Sequence, residues 1–241
     1  MNSLYAEHAH WWPLMSPPED YEEEAAELLP RLLDGLEGVE APSLLELGCG
    51  GGSLASHFQG HFAMTLTDLS PEMLAVSKTV NPEAEHFAGD MRSLRLGRTF
   101  DRVFIHDAIM YAADAGSVLA VLQTAAAHCK PGGRVIVVPD YVSETFEPST
   151  EHGGNDSDDG RAFRYLEWVW DPDPDDNTFE AVYSYVMREA DGRIHTAVDH
   201  QVEGCFPYAQ WLQWFEQAGI PATSALDSWN RHVFTGVPRT A

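Results

Sequence analysis

The chain has 241 residues, which at about 150 per domain fits one large domain or a domain carrying an insertion. Hydrophobic residues make up 44% and aromatics 11%, enough apolar material for a buried core, so wholesale disorder is excluded. Asp and Glu number 38 against 14 Lys and Arg, a formal charge of -24 that repels phosphate backbones and anionic lipid and so speaks against nucleic-acid and membrane partners. Most of that acidity serves solubility. Cys49, Cys129 and Cys205 are odd in number and lack CxxC spacing, so they read as reduced, buried thiols of a cytoplasmic protein rather than a disulfide or metal framework. No apolar run approaches ~18 residues, and the first residues show no basic region ahead of an apolar stretch.

Near the N-terminus, Pro17 and Pro18 break the chain, and Asp20 with Glu23 forms a capping-box pattern ahead of the acidic helical run EEEAAELLPRLL, in which Pro30 predicts a kink or restart. SLLEL (Ser43–Leu47) is a short apolar strand ending in glycines, and SLASHF after it reads as a helix. FAMTLT (Phe62–Thr67) is a second strand, followed by Ser70 as N-cap with Pro71 at the first helical position. A third strand lies near Ala84–Phe87 and a fourth at Arg102–His106, and a helix runs from about Gly116 to His128. Lys130-Pro131-Gly132-Gly133 is a turn leading into a fifth strand, Arg134–Val138. Apolar strands alternating with helices indicate a doubly wound parallel α/β sheet.

The pattern then changes. Ser149–Gly160 is a polar loop, and Phe163–Phe206 reads as a three-stranded antiparallel insertion, its last hairpin turning at Asp191-Gly192. An amphipathic helix (Tyr208–Ala218) and two strands complete a single domain. Its parts are an N-terminal lid and helix (1–42), a core (43–138), the insertion over an acceptor pocket (139–206) and the terminal elements (207–241).

The most informative stretch is Leu45-Glu46-Leu47-Gly48-Cys49-Gly50-Gly51-Gly52-Ser53-Leu54, where glycines at a strand end let the backbone approach a ligand closely. Gly50 to Ala55 satisfies G-x-G-x-x-A, and Asp68 ends the second strand where a carboxylate accepts from a ribose hydroxyl. On these residues alone an NAD-type oxidoreductase remains open.

Glu46-x-Gly48-x-Gly50-x-Gly52 resembles the first motif of class I S-adenosylmethionine-dependent methyltransferases. Asp68, Gly89-Asp90-Met91 and Lys130-Pro131-Gly132-Gly133 match further motifs in order. The resemblance implies a seven-stranded Rossmann-like sheet with a reversed last strand and S-adenosylmethionine as cofactor. It places Glu46 beneath the glycine loop at the methionine end of the cofactor, with Gly48, Cys49 and Gly50 passing close by. Asp68 takes the ribose diol, Leu69 and Met73 flank the adenine, Asp90 accepts from the adenine amino group, and the Met91 backbone pairs with a ring nitrogen. His106 offers its carbonyl to the cofactor's ammonium. Met73 equally fits as helix core, and Cys49 as packing. The segment Tyr5–Trp12 together with Glu19-Asp20-Tyr21 resembles the N-terminal helix of small-molecule, amino-sugar-type N,N-dimethyltransferases, where a tyrosine segment folds over the cofactor. Trp11–Pro13 departs from that pattern.

Methyl transfer is an in-line displacement that needs alignment more than a nucleophile or metal, and no metal ligand set is assigned. The acceptor is a neutral or cationic small molecule, methylated at nitrogen or oxygen. Asp107, Tyr111 and, in the lid-like loop, His152 are the candidate bases. Arg164 either pairs with Glu167 or meets the acceptor, and the insertion either roofs the pocket or mediates a homodimer. A non-catalytic cofactor-binding protein is a further alternative.

Overall fold

The computed structural model describes residues 3–239. A short helix, α1 (Trp12–Met15), and the longer α2 (Glu22–Leu33) lead to the first strand, β1 (Ser43–Leu47). The chain continues through β2 (Ala63–Asp68), α3 (Pro71–Val80), β3 (Glu85–Ala88), β4 (Phe100–Ile105), α4 (Ala115–His128) and β5 (Cys129–Val137). Four strands, β6 (Ser149–Gly153), β7 (Ala162–Trp170), β8 (Thr178–Arg188) and β9 (Ile194–Gly204), come next. Then follow α5 (Tyr208–Gln217), β10 (Ala222–Leu226) and β11 (His232–Gly236). The central sheet has seven strands in the order β10-β11-β5-β4-β1-β2-β3, and only β11 runs against its neighbours. This is the expected α/β arrangement with a reversed last strand.

Central strands are apolar on both sides because helices cover both faces. Leu45, Leu47, Val103, Ile105 and Phe234 pack with Val118, Leu122, Trp211 and Phe215 of α4 and α5. Leu44, Phe104 and Ile136 pack the opposite way, against Leu28 and Leu32 of α2 and Leu74 of α3. Ser70 caps α3 as expected, its hydroxyl accepting from Met73 N at 3.0 Å with Pro71 beginning the helix.

Several local expectations are corrected. No capping box forms at Asp20, since Pro18–Tyr21 make a 3-10 turn and α2 starts after Tyr21 without a side-chain cap. Pro30 lies within α2 and the helix continues to Leu33, because burial of Ala25, Leu28 and Leu32 outweighs one lost backbone bond. The segment after the glycine loop forms only a 3-10 turn, Ala55–Phe58. Residues 130–133 are part of β5 and bulge out opposite Asp101 in place of a turn before the strand.

The insertion has four strands rather than three, in the order β6-β7-β8-β9, because β6 forms where a polar loop was expected. Its strands read inside out. On β9 the inward positions are Asp199, Gln201 and Glu203, exposed by only 9%, 9% and 7%, while Val198 and Val202 are 66% and 52% exposed. Leu166, Trp168 and Val186 extend that apolar outer face. Arg164 shares the outer parity and pairs with Asp156 at 3.0 Å; Glu167 faces inward and accepts from the Tyr183 hydroxyl, so the expected Arg164–Glu167 pair does not form. The N-terminal segment covers part of the inner face, with Leu4 and Trp11 packed on Phe163, Tyr185 and Met187. All three cysteines are free and buried, and among the described residues no helix is long and apolar enough to cross a membrane.

Arg102 is buried and donates to the carbonyls of Leu32 (2.7 Å), Asp34 and Asp101 (2.8 Å), closing the C-terminal end of α2. Arg102→Leu leaves those carbonyls unpaired, and we expect a loss of about 2–3 kcal/mol in urea unfolding. A midpoint unchanged from the parent protein refutes this anchoring role.

Candidate functional site

Gly48 follows β1 with φ +79°, and a Cβ there would stand 2.3 Å from the Cβ of Ala108, so only glycine lets the loop lie flat against the segment after β4. Gly48 N and Cys49 N both donate to Thr67 O, at 2.8 and 2.9 Å. The indole of Trp12 packs on Gly51 so closely that a Cβ would meet it at 2.2 Å. At the tip of β2, Asp68 accepts from Gly50 N and Ser70 N, both at 2.9 Å. Burial still raises its pKa above the ordinary carboxylate value. Glu46 is buried, its Oε2 without a hydrogen-bond partner among the described residues, and burial pushes its pKa up to about 7.

These groups open onto a cavity of about 710 Å³. All the positions assigned to cofactor from the sequence line it: Tyr21, Glu46, Gly48, Cys49, Gly50, Asp68, Leu69, Met73, Asp90, Met91 and His106. Two are already engaged. Asp90 is gripped by Arg92, with Nη2 at 2.6 Å and Nε at 3.0 Å. The His106 carbonyl accepts from Ile109 N at 3.1 Å. The orphaned Glu46 oxygen and the bare glycine backbone fit a ligand carrying an ammonium group, as S-adenosylmethionine does. A dinucleotide reading instead needs a pyrophosphate on an α-helix N-terminus, and the single turn at Ala55–Phe58 offers none.

A second cavity, about 430 Å³, adjoins the first and shares with it Tyr5, Trp12, Ser16, Tyr21, Asp107, Tyr111 and Gln201. The N-terminal segment forms much of this shared wall. It is tied to the second sheet through Ser3 and Asp199 (2.9 Å), and to the core through Ser70 Oγ on Tyr5 O and Ser53 Oγ on Ser16 O (2.6 Å). Tyr5 and Tyr111 share a hydroxyl hydrogen bond of 2.8 Å, and burial drives both phenols above their usual pKa, so they stay neutral.

Asp107 and Tyr111 therefore stand where the cavities meet, whereas His152 lines neither and is exposed. The reason is parity. Its neighbour Glu151 faces the second cavity, and a one-residue step along β6 turns His152 outward. Glu203 and Gln201 are not among the residues the sequence points to around the acceptor, and Asp140 and Glu167 join them at the second cavity. Burial and the nearby Glu167 and Asp107 push Glu203 up to about 8. Asp140 is raised by burial and by the charge of Asp107. The missed signal was polar residues at every second position of β9.

Beneath both cavities lies a charge network that no local pattern announces. The His106 ring sits between Glu24 (2.6 Å) and Asp107 (2.9 Å), and Arg231 binds Glu24 and, at 2.8 Å, Asp227. Burial alone would lower the His106 pKa, but Asp107 and Glu24 raise it to about 10. For burial of Asp107 the reverse holds: it would raise that pKa, but His106 holds it down to about 2.

A pKa raised on folding gives stability that is full below the unfolded value of about 6.5 and lost toward the folded value. Urea unfolding of the parent protein should therefore weaken between about pH 6.5 and 10. His106→Gln should lose about 3–5 kcal/mol near pH 6 and show a shallower decline over that window. Parallel pH profiles for the two proteins contradict the pairing.

Comparison with known proteins points to one family. Residues 44–133 match the family model described as a methyltransferase domain. A dTDP-3-amino-3,6-dideoxy-alpha-D-glucopyranose N,N-dimethyltransferase of Streptomyces fradiae is 36% identical over 132 residues, 54% of this chain and 51% of that protein. A dTDP-3-amino-3,4,6-trideoxy-alpha-D-glucopyranose N,N-dimethyltransferase of Streptomyces venezuelae is 38% identical over 109 residues, 44% of this chain and 46% of that protein. The chain thus spans about half the length of these curated relatives. The crystal structure of Streptomyces venezuelae DesVI superposes with a TM-score of 0.84 at 26% identity, covering 96% of this chain and 98% of that one.

Proposed function

We propose that this chain is a class I S-adenosylmethionine-dependent methyltransferase that transfers a methyl group to the nitrogen of a small-molecule amine. The observation that carries this reading is the pair of adjoining cavities, one built around the glycine loop and Asp68, the other walled by tyrosines and carboxylates. The relatives' names, N,N-dimethyltransferases of amino sugars, support nitrogen as the acceptor and an amino sugar as one candidate.

S-adenosylmethionine, when bound, supplies an electrophilic methyl group on a sulfonium. In this reading the residues of the chain hold and orient. Glu46 Oε2 receives an ammonium donor, Asp68 accepts from ribose hydroxyls while the Gly50 and Ser70 amides fix its carboxylate, and Leu69 and Met73 flank the base. Asp90 completes the set once it shares its oxygens with a ligand as well as Arg92. Tyr5, Trp12, Tyr21 and Tyr111 keep water from the junction where the acceptor meets the methyl group. An amine arriving as an ammonium must shed a proton before attack, and the raised pKa of Glu203 suits it to receive that proton. Asp107, held ionised by His106, orients rather than takes the proton. The segment before α2 acts as a lid, and the apolar outer face of the second sheet supports a homodimer, which light scattering tests.

Calorimetric titration with S-adenosylhomocysteine should show one site per chain. Asp68→Ala should weaken it at least tenfold, matching the loss of a buried hydrogen-bonding carboxylate. Release of S-adenosylhomocysteine from S-adenosylmethionine should occur with amines and not with phenols. Absence of cofactor binding, or turnover confined to hydroxyl acceptors, overturns the proposal.

A further inference from the structure

We infer that the acceptor cavity takes a phosphate-free molecule bearing a cationic amine, seated against Glu203 and Glu167, and rejects amines linked to a nucleoside diphosphate. The inference rests on the methyltransferase reading and narrows its substrate.

The first observation is the composition of the wall. Asp20, Asp107, Asp140, Glu151, Glu167 and Glu203 all line the second cavity, and among the described residues no Lys, Arg or His does. A diphosphate brings negative charge and needs cationic or backbone donors, commonly arginine. Arginines elsewhere in the chain already have acidic partners. Arg92 is bound to Asp90, Arg161 to Asp159, Arg164 to Asp156, and Arg231 to Glu24 and Asp227.

A second, independent observation comes from Gln201. Its residue is 9% exposed, it borders both cavities, and its Oε1 has no hydrogen-bond partner among the described residues. A buried amide oxygen left open in this way calls for a donor, and an ammonium or hydroxyl on a ligand supplies one.

The rest of the wall agrees. Seven of the chain's eight tyrosines line this cavity, among them Tyr141, Tyr165, Tyr183 and Tyr185, and their ring faces favour a cation or the C–H faces of a compact ring. Tyr183 donates to Glu167 at 2.7 Å, which holds that carboxylate in place. Asp107 and Asp140 face His106 and Arg231, but Glu151, Glu167 and Glu203 have no cationic partner among the described residues, and burial beside like charges is what lifts Glu203 and Glu167 above the usual carboxylate range. A ligand ammonium supplies the missing positive charge. A phosphate brings the opposite.

The test uses the full chain saturated with S-adenosylhomocysteine, titrated calorimetrically with glucosamine, tyramine and uridine-diphosphate glucosamine. At least one free amine should bind tenfold or more tighter than the nucleotide-linked amine. Glu203→Gln should weaken that amine at least tenfold while the affinity for S-adenosylhomocysteine stays within twofold. If Glu203→Gln loses S-adenosylhomocysteine as well, Glu167→Gln carries the same comparison. Tighter binding of uridine-diphosphate glucosamine, amine binding untouched by the substitution, or no binding of either free amine to a protein that holds S-adenosylhomocysteine overturns the inference. A protein that fails to bind S-adenosylhomocysteine at all instead sinks the methyltransferase reading.

Discussion

The His106 ring, buried between two carboxylates with Arg231 alongside, is the constraint on which the remaining geometry depends. A charged imidazole out of water is tolerated only if every neighbour is held in place, because unpairing any one member leaves a bare charge in a low-dielectric interior. Glu24 comes from α2, Asp107 from the turn after β4, and Arg231 and Asp227 from the loop joining β10 to β11. Elements far apart in the chain are thereby fixed at the carboxyl end of the central strands, where an open α/β sheet leaves its ligand crevice. The floor of both cavities is consequently rigid. Motion, where the site needs it, falls to the N-terminal segment, which touches that floor mainly through single hydrogen bonds such as those of Ser16 and Tyr5.

The two sheets solve opposite problems with the same backbone. In the central sheet both faces are covered by helices, so the inner strands are mostly apolar and contribute stability through burial, with Glu46 and Arg102 as buried exceptions. In the second sheet the covered face looks onto a cavity, and β9 places Asp199, Gln201 and Glu203 there while Val198 and Val202 face outward. Such a strand gains little from hydrophobic burial on its inner side. Its order derives from the long ladder with β8 and from the packing of Leu4 and Trp11 at one end. The central sheet thus combines a packed core with the first cavity at its strand ends, while the second sheet contributes mainly the polar wall of the second cavity.

Much of this was legible in the sequence where the signal is local. The Ser70-Pro71 cap, the strand–glycine–Asp68 succession and the reversed terminal strand follow from residues within a few positions of one another or from the ordered motifs, and the assigned cofactor positions converge on one cavity. What escaped was decided at a distance or by a single step of parity. Pro30 predicted a break that burial of α2 overrides, and Ser53–Phe58 looked helical yet forms only one turn. His152 drew attention as a loop histidine, but pairing of β6 with β7 gives the inward position to Glu151. The Glu24–His106 pair spans 82 residues and the His106–Arg231 contact 125, beyond any window of periodicity.

That parity also governs how the acceptor chamber can change. Every group that β9 offers to the ligand is set by its register against β8, and the register is set by the turn at Asp191-Gly192. Lengthening the turn by one residue would slide β9 so that Val198 and Val202 turn inward in place of Asp199, Gln201 and Glu203, changing the β9 wall of both cavities. The second cavity would lose Gln201 and Glu203 without a single substitution among its lining residues, while the carboxylates that other elements contribute stayed in place. In this fold the length of a hairpin, as much as the identity of any side chain, decides which groups line the cavities.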